Sequence, residues 1–105
     1  SSAEIARRVV AARDAACDRW SGVDQPWSTN QEVPGPYLRS GPWRLPAAVS
    51  GPADWMVETG ALTARGYDRV LRLAWTLCDL AGRSTPAVED VAEATGLRVG
   101  HQLPG

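Results

Sequence analysis

At 105 residues and a formal net charge of −1, the chain has room for one domain and lacks the basic balance of a general nucleic-acid-binding surface. Two cysteines and one histidine do not make a convincing metal site, and there is no signal peptide and no apolar run long enough to span a membrane, so metal binding, export and insertion are not expected. The core material is Ala, Val and Leu with five Trp, one Met and no Phe, which predicts closely spaced helices with indoles filling the gaps.

The first predicted element is a helix over residues 3–20. Ser1 and Glu4 have capping-box spacing, and Ile5, Val9, Ala12, Ala16 and Trp20 recur at helical steps as one apolar stripe. Glu4 and Arg8 are an i, i+4 pair in the better orientation, and Gly22 is the stop. The chain starts without a methionine, directly on this cap, and is read as a piece of a longer protein.

Residues 21–53 change character. Six of the eight prolines lie here (Pro26, Pro34, Pro36, Pro42, Pro46 and Pro52), so no long helix is expected to pass through. Trp27, Tyr37, Trp43 and Leu45 are interleaved among them, too much apolar bulk for a disordered linker. An ordered, irregular excursion wrapping over the helices is predicted, with a short helical turn near 34–39.

A short helix is predicted over 50–60, with Pro52 at its first position and Gly60 as its stop. The strongest helical pattern follows in "LTARGYDRVLRLAWTLCDLAGR", residues 62–83. Thr63 is the N-cap, and Tyr67, Val70, Leu71, Ala74, Leu77, Cys78 and Ala81 follow the helical period, with Trp75 at the margin of that face. A last helix is predicted over 84–96, capped by Thr85, with Pro86 at its first position and Gly96 at its end. Glu89, Asp90 and Glu93 are read as its solvated acidic face. Residues 99–105 are expected to be a flexible tail. The fold class is therefore all-α, a small bundle of four or five helices with a Pro-rich excursion.

The chemistry is limited. All eleven basic residues are Arg, which excludes a P-loop lysine. His101 stands alone in the tail, and no nucleophile elbow or triad is present, so the chain by itself is not expected to be an enzyme. Cys17 and Cys78 fall on helices and are read as reduced, buried thiols of a cytosolic protein, with a helix–helix disulfide as the minor alternative. Helices at 64–81 and 86–95 loosely suggest helix-turn-helix, but the second is acidic and would repel phosphate. Arg65, Arg69 and Arg72 remain. Arg65 lies in the first turn of its helix, where the dipole disfavours a cation but free N–H groups favour an anion. It is either a solvated arginine or a bidentate anion donor, with phosphate the natural occupant.

Several spaced blocks then agree with one family. "SSAEIARRVVAARDAACDRW", an Asn (Asn30) followed by "EVPG", the 62–82 stretch and "VEDVAEATGLR" resemble the C-terminal domain of Mg-chelatase-like AAA+ ATPases of the ComM/YifB type. The stretch with Thr63, Arg65, Arg69, Arg72 and Cys78-Asp79-Leu80-Ala81-Gly82 carries the resemblance, which covers residues 1–98. It implies a helical lid following an upstream AAA+ core, with the ATP, its Mg ion and the Walker residues bound mainly by that core. It also implies that Arg65 is a "sensor 2" arginine on the ATP phosphate, with Arg69 as a second contact. Further implications are a cytoplasmic, ring-forming hexamer and, for ComM-type proteins, a link to DNA branch migration in natural transformation. In this chain alone Arg65 is expected to be exposed, with no catalytic or metal residue. Trp75 stands where family members usually carry Arg, which favours packing there. The alternative is a free-standing protein–protein interaction module, with Trp43 or Trp75 in an exposed patch.

Overall fold

The computed structural model describes residues 1–100, and among these there are five α-helices and no strand. They are α1 (Ser2–Ser21), α2 (Gly35–Leu38), α3 (Ala47–Glu58), α4 (Ala64–Leu80) and α5 (Val88–Gly100), with single 3-10 turns at Asn30–Glu32 and Gly41–Trp43. Helix α4 is central and packs against the other four. Its apolar side, with Val70, Leu71, Ala74, Trp75 and Cys78 all buried, explains why it holds the bundle together.

The core gathers Trp20, Val33, Leu38, Leu45, Ala53, Leu62, Val91 and Ala94 around that side. Two ends follow the predicted chemistry: Ser1 caps α1 and Thr63 caps α4, each accepting from the N–H three residues on. Gly60 and Gly82 end α3 and α4 at φ 80° and 76°, the left-handed region that glycine enters without a Cβ penalty.

The Pro-rich excursion is ordered, and α2 sits inside the predicted 34–39 turn. Its aromatic side chains pay out as a cluster around the fully buried Trp20. Trp43 lies 4.8 Å from it, Trp27 6.3 Å and Tyr37 6.5 Å, mostly edge-to-face.

Four local expectations are corrected. Helix α3 begins at Ala47 and carries Pro52 inside it. Proline removes one intrahelical bond there, but Ser50 and Ala53 are buried on either side, and tertiary packing outweighs the loss. Helix α5 starts at Val88, two residues later than predicted, and continues through Gly96 to Gly100. The stripe on α1 is covered only at Ala12, Ala16 and Trp20, while Ile5 is 61% exposed. Arg8 does not pair with Glu4: its Nη2 donates to the Leu80 carbonyl at the C-terminal end of α4, where the dipole favours a cation. The predicted tail lies, from residue 101 on, outside the described residues, and His101 with it.

Candidate functional site

The first turn of α4 is built to be rigid. Leu62 is buried just before it, and Thr63 Oγ1 accepts from Gly66 N at 3.0 Å. A Cβ on Gly66 would stand 2.8 Å from Leu62 Cδ1, so the glycine lets Leu62 pack closely against this turn. On the buried side, Tyr67 Oη donates to Asp54 Oδ1 at 2.7 Å, and Ser50 Oγ donates to Asp54 Oδ2 at 2.7 Å, which ties the turn to α3. Burial and the bond to the Asp54 carboxylate push the Tyr67 phenol up to about 12.

The opposite face of the turn carries the arginines. Helical spacing places Arg65, Asp68, Arg69 and Arg72 on one side. Asp68 accepts from Arg39 at the end of α2, with Nε to Oδ1 at 2.8 Å. Arg72 Nε donates to the Val33 carbonyl at 2.8 Å. Two of the cations near α4 are therefore used to fasten the Pro-rich excursion. Arg65 and Arg69 are exposed, and among the described residues neither has a hydrogen-bond or ion-pair partner. Sequence reasoning singled out Arg65 and Arg69. It missed Arg39, Gly35, Asp54 and Ser50, whose roles depend on contacts made across the fold.

A second polar cluster lies at the other end of α4. Arg19 donates from both terminal nitrogens to Asp79, an ion pair whose side chains are 9% and 1% exposed. Asn30 completes it. Its Oδ1 accepts from Trp20 Nε1 at 3.0 Å and from Arg19 Nη1 at 3.1 Å, and its Nδ2 donates to Asp79 Oδ2 at 3.0 Å and Thr76 Oγ1 at 3.2 Å. The Arg19 guanidinium lies 4.4 Å from the Trp75 ring centroid. Both side-chain polar atoms of Asn30 are thus spent inside the protein, and this cluster is structural.

Three side-chain expectations change here. Trp75 is 3% exposed and packs edge-to-face with Trp43, which is itself half-buried, so neither forms an exposed interface patch. Trp75 Nε1 is buried with no hydrogen-bond partner among the described residues. Asp90 is 3% exposed, not part of a solvated face: it accepts from Arg83 and from Ala87 N, closing the start of α5. Glu89 and Glu93 are exposed as read. Both cysteines are free, with Cys78 buried but Cys17 exposed.

Two grooves flank the site-bearing helix. One of about 410 Å³ runs beside its first turn, lined by Arg39, Asp54, Val57, Glu58, Ala64 and Tyr67. The other, about 610 Å³, lies between α1 and the Asn30 turn. Among the described residues no three His, Cys, Asp or Glu side chains converge. No described helix is long and apolar enough to cross a membrane.

Residues 1–98 match the family described as magnesium chelatase, subunit ChlI C-terminal. Proteins of Mycobacterium bovis and Mycobacterium tuberculosis, each named only as an uncharacterised protein, are 42% identical over 98 residues, 93% of this chain. The chain spans 19% of the length of these curated relatives. No solved structure matches it.

Proposed function

The chain belongs to the family of magnesium chelatase subunit ChlI C-terminal domains, and from that premise we propose that it is the helical lid of a Mg-chelatase-like AAA+ ATPase, with Arg65 as the residue that senses the ATP phosphate. The observation that carries the reading is the state of Arg65. Among the described residues it stands unpaired and exposed on the first turn of α4, while its neighbours Asp68 and Arg72 are committed elsewhere. The Thr63 cap fixes the backbone from which Arg65 projects, and its guanidinium, not engaged by any described residue, is available to give an anion two parallel hydrogen bonds.

In this reading the nucleotide and its magnesium ion sit in an upstream AAA+ domain, and the lid brings Arg65 to the phosphoryl oxygens. Charge on those oxygens grows during hydrolysis and a fixed cation stabilises it. Arg69, one turn further along the same face, is the second donor. Because Arg65 travels with the lid, phosphate contact would couple the nucleotide state to domain motion in a ring of subunits. A cytoplasmic ring, hexameric in the ComM-type pattern, and a DNA-remodelling role for the whole protein belong to the same proposal.

The test is Arg65→Ala in the full-length ATPase. Hydrolysis should fall by about 100-fold or more. The thermal midpoint of this domain should hardly move, because the side chain is exposed and touches no partner among the described residues. Wild-type hydrolysis by that variant would overturn the reading.

A further inference from the structure

Resting on the reading of Arg65 as the phosphate contact, we propose that Arg39 is a positioning residue for it. Arg39 keeps Arg65 available by engaging the one carboxylate, Asp68, that is spaced to capture it.

Asp68 lies three residues after Arg65 and four before Arg72. Both separations bring side chains together on a helix surface and favour ion pairs. By local rules alone Asp68 would neutralise one of these two arginines. The structure diverts all three groups. Arg72 turns to the Val33 carbonyl. Asp68 takes Arg39, through Nε at 2.8 Å and more loosely through Nη2 at 3.5 Å. Arg65 is left without a protein partner among the described residues.

Gly35 makes the diversion possible. A Cβ at this position would stand 1.9 Å from Asp68 Oδ2 and 2.1 Å from Asp68 Cγ. The carboxylate therefore lies in a slot against the α2 backbone that only glycine leaves open. Asp68 is the more sheltered partner, with its side chain 17% exposed against 46% for Arg39. Its charge is correspondingly less screened by water. Without Arg39 that charge would be uncompensated beside Arg65. It would then compete with the phosphate for Arg65 and repel the phosphate directly.

The experiment uses the full-length protein and reads equilibrium affinity for a non-hydrolysable ATP analogue, together with the thermal midpoint. Arg39→Met keeps the aliphatic stem and removes the charge. It should weaken the analogue by about threefold to tenfold, more at low ionic strength, with little change in midpoint. Adding Asp68→Asn to Arg39→Met should restore the affinity to within about twofold of wild type, because the competing charge is gone. Unchanged affinity in Arg39→Met overturns the proposal. So does a double variant that stays weak, which would mean Arg39 acts through packing alone. Should Arg39→Met not fold, Asp68→Asn alone decides: affinity at or above wild type supports the proposal, and a loss overturns it. Arg65→Ala, run in parallel, separates the two levels. Wild-type hydrolysis by Arg65→Ala removes the underlying reading and this proposal with it. An impaired Arg65→Ala beside an unaffected Arg39→Met removes this proposal alone.

Discussion

Cys17 and Cys78 lie on adjacent helices and look alike in sequence, yet they meet different surroundings. Cys17 faces out from α1. Cys78 is fully buried on α4, its Sγ set to donate to the Arg83 carbonyl at 3.2 Å. Burial first, and then the nearby Asp79 and Asp90 charges, push its thiol up to about 11. Thiolate is the reactive form, so Cys78 is protected twice, by access and by protonation. With Ellman's reagent at neutral pH, one thiol should react in the native protein and the second only after denaturation. Two equally fast thiols would contradict the burial of Cys78. The arginines make the same point about residues. Chemically identical side chains serve as buried ion-pair partner (Arg19), tie to a backbone carbonyl (Arg8, Arg72), partner of a carboxylate (Arg39, Arg83) and, among the described residues, unpaired surface cation (Arg65, Arg69). Residue type and spacing named Arg65 as unusual. Only its neighbours' partners made it free.

Among elements, α3 and α4 are joined by the Ser50–Asp54–Tyr67 chain as well as by packing. Tyr67 has its folded pKa raised from 10.0 to about 12, so its neutral form is favoured in the native state. The sign follows directly. Its contribution is complete below pH 10, where the unfolded phenol is still neutral, and is lost as the pH rises from 10 to about 12. Cys78 acts in the same direction between 9.0 and about 11. Urea unfolding should therefore show stability falling across this alkaline range. Tyr67→Phe should cost about 1.5–3 kcal/mol at neutral pH, the worth of a hydrogen bond to a charged group. It should also flatten the upper part of the alkaline fall, leaving the part due to Cys78. An unchanged alkaline profile in Tyr67→Phe would show that the phenol does not carry this dependence. The elements themselves were largely legible: α1 and α4 have caps and a clear period. The start of α3 was not, because a proline at position 52 reads locally as a first-turn residue, and packing on both sides carries the helix back to Ala47.

For the whole molecule, the Arg19–Asp79–Asn30 cluster fastens α1, the 3-10 turn and α4 at one place. Asp79→Ala would leave the Arg19 guanidinium buried and unpaired and would strip Asn30 Nδ2 of one acceptor. A broken buried pair of this kind costs about 3–5 kcal/mol, a large share of the stability of a small domain. The expected result is one cooperative unfolding transition at markedly lower denaturant, seen alike by Trp fluorescence and by circular dichroism. A loss below about 1 kcal/mol, the range of an exposed pair, would show that the cluster is not sheltered in solution.

By itself the sequence determined the helical class, the caps at Ser1 and Thr63, the strong helical period of α4, and the anomaly at Arg65. These follow from periodicity and end chemistry, which act within a few residues. The tertiary structure alone decided that Asp79 and Asp90 are buried partners rather than solvated charges, and that Trp43 packs against Trp20 and Trp75. It also decided that Asp68 belongs to Arg39 rather than to Arg65. Each of these turns on a partner far along the chain or on a surface covered by another element. Local spacing places a side chain on a face, but what occupies the space opposite is set by the fold.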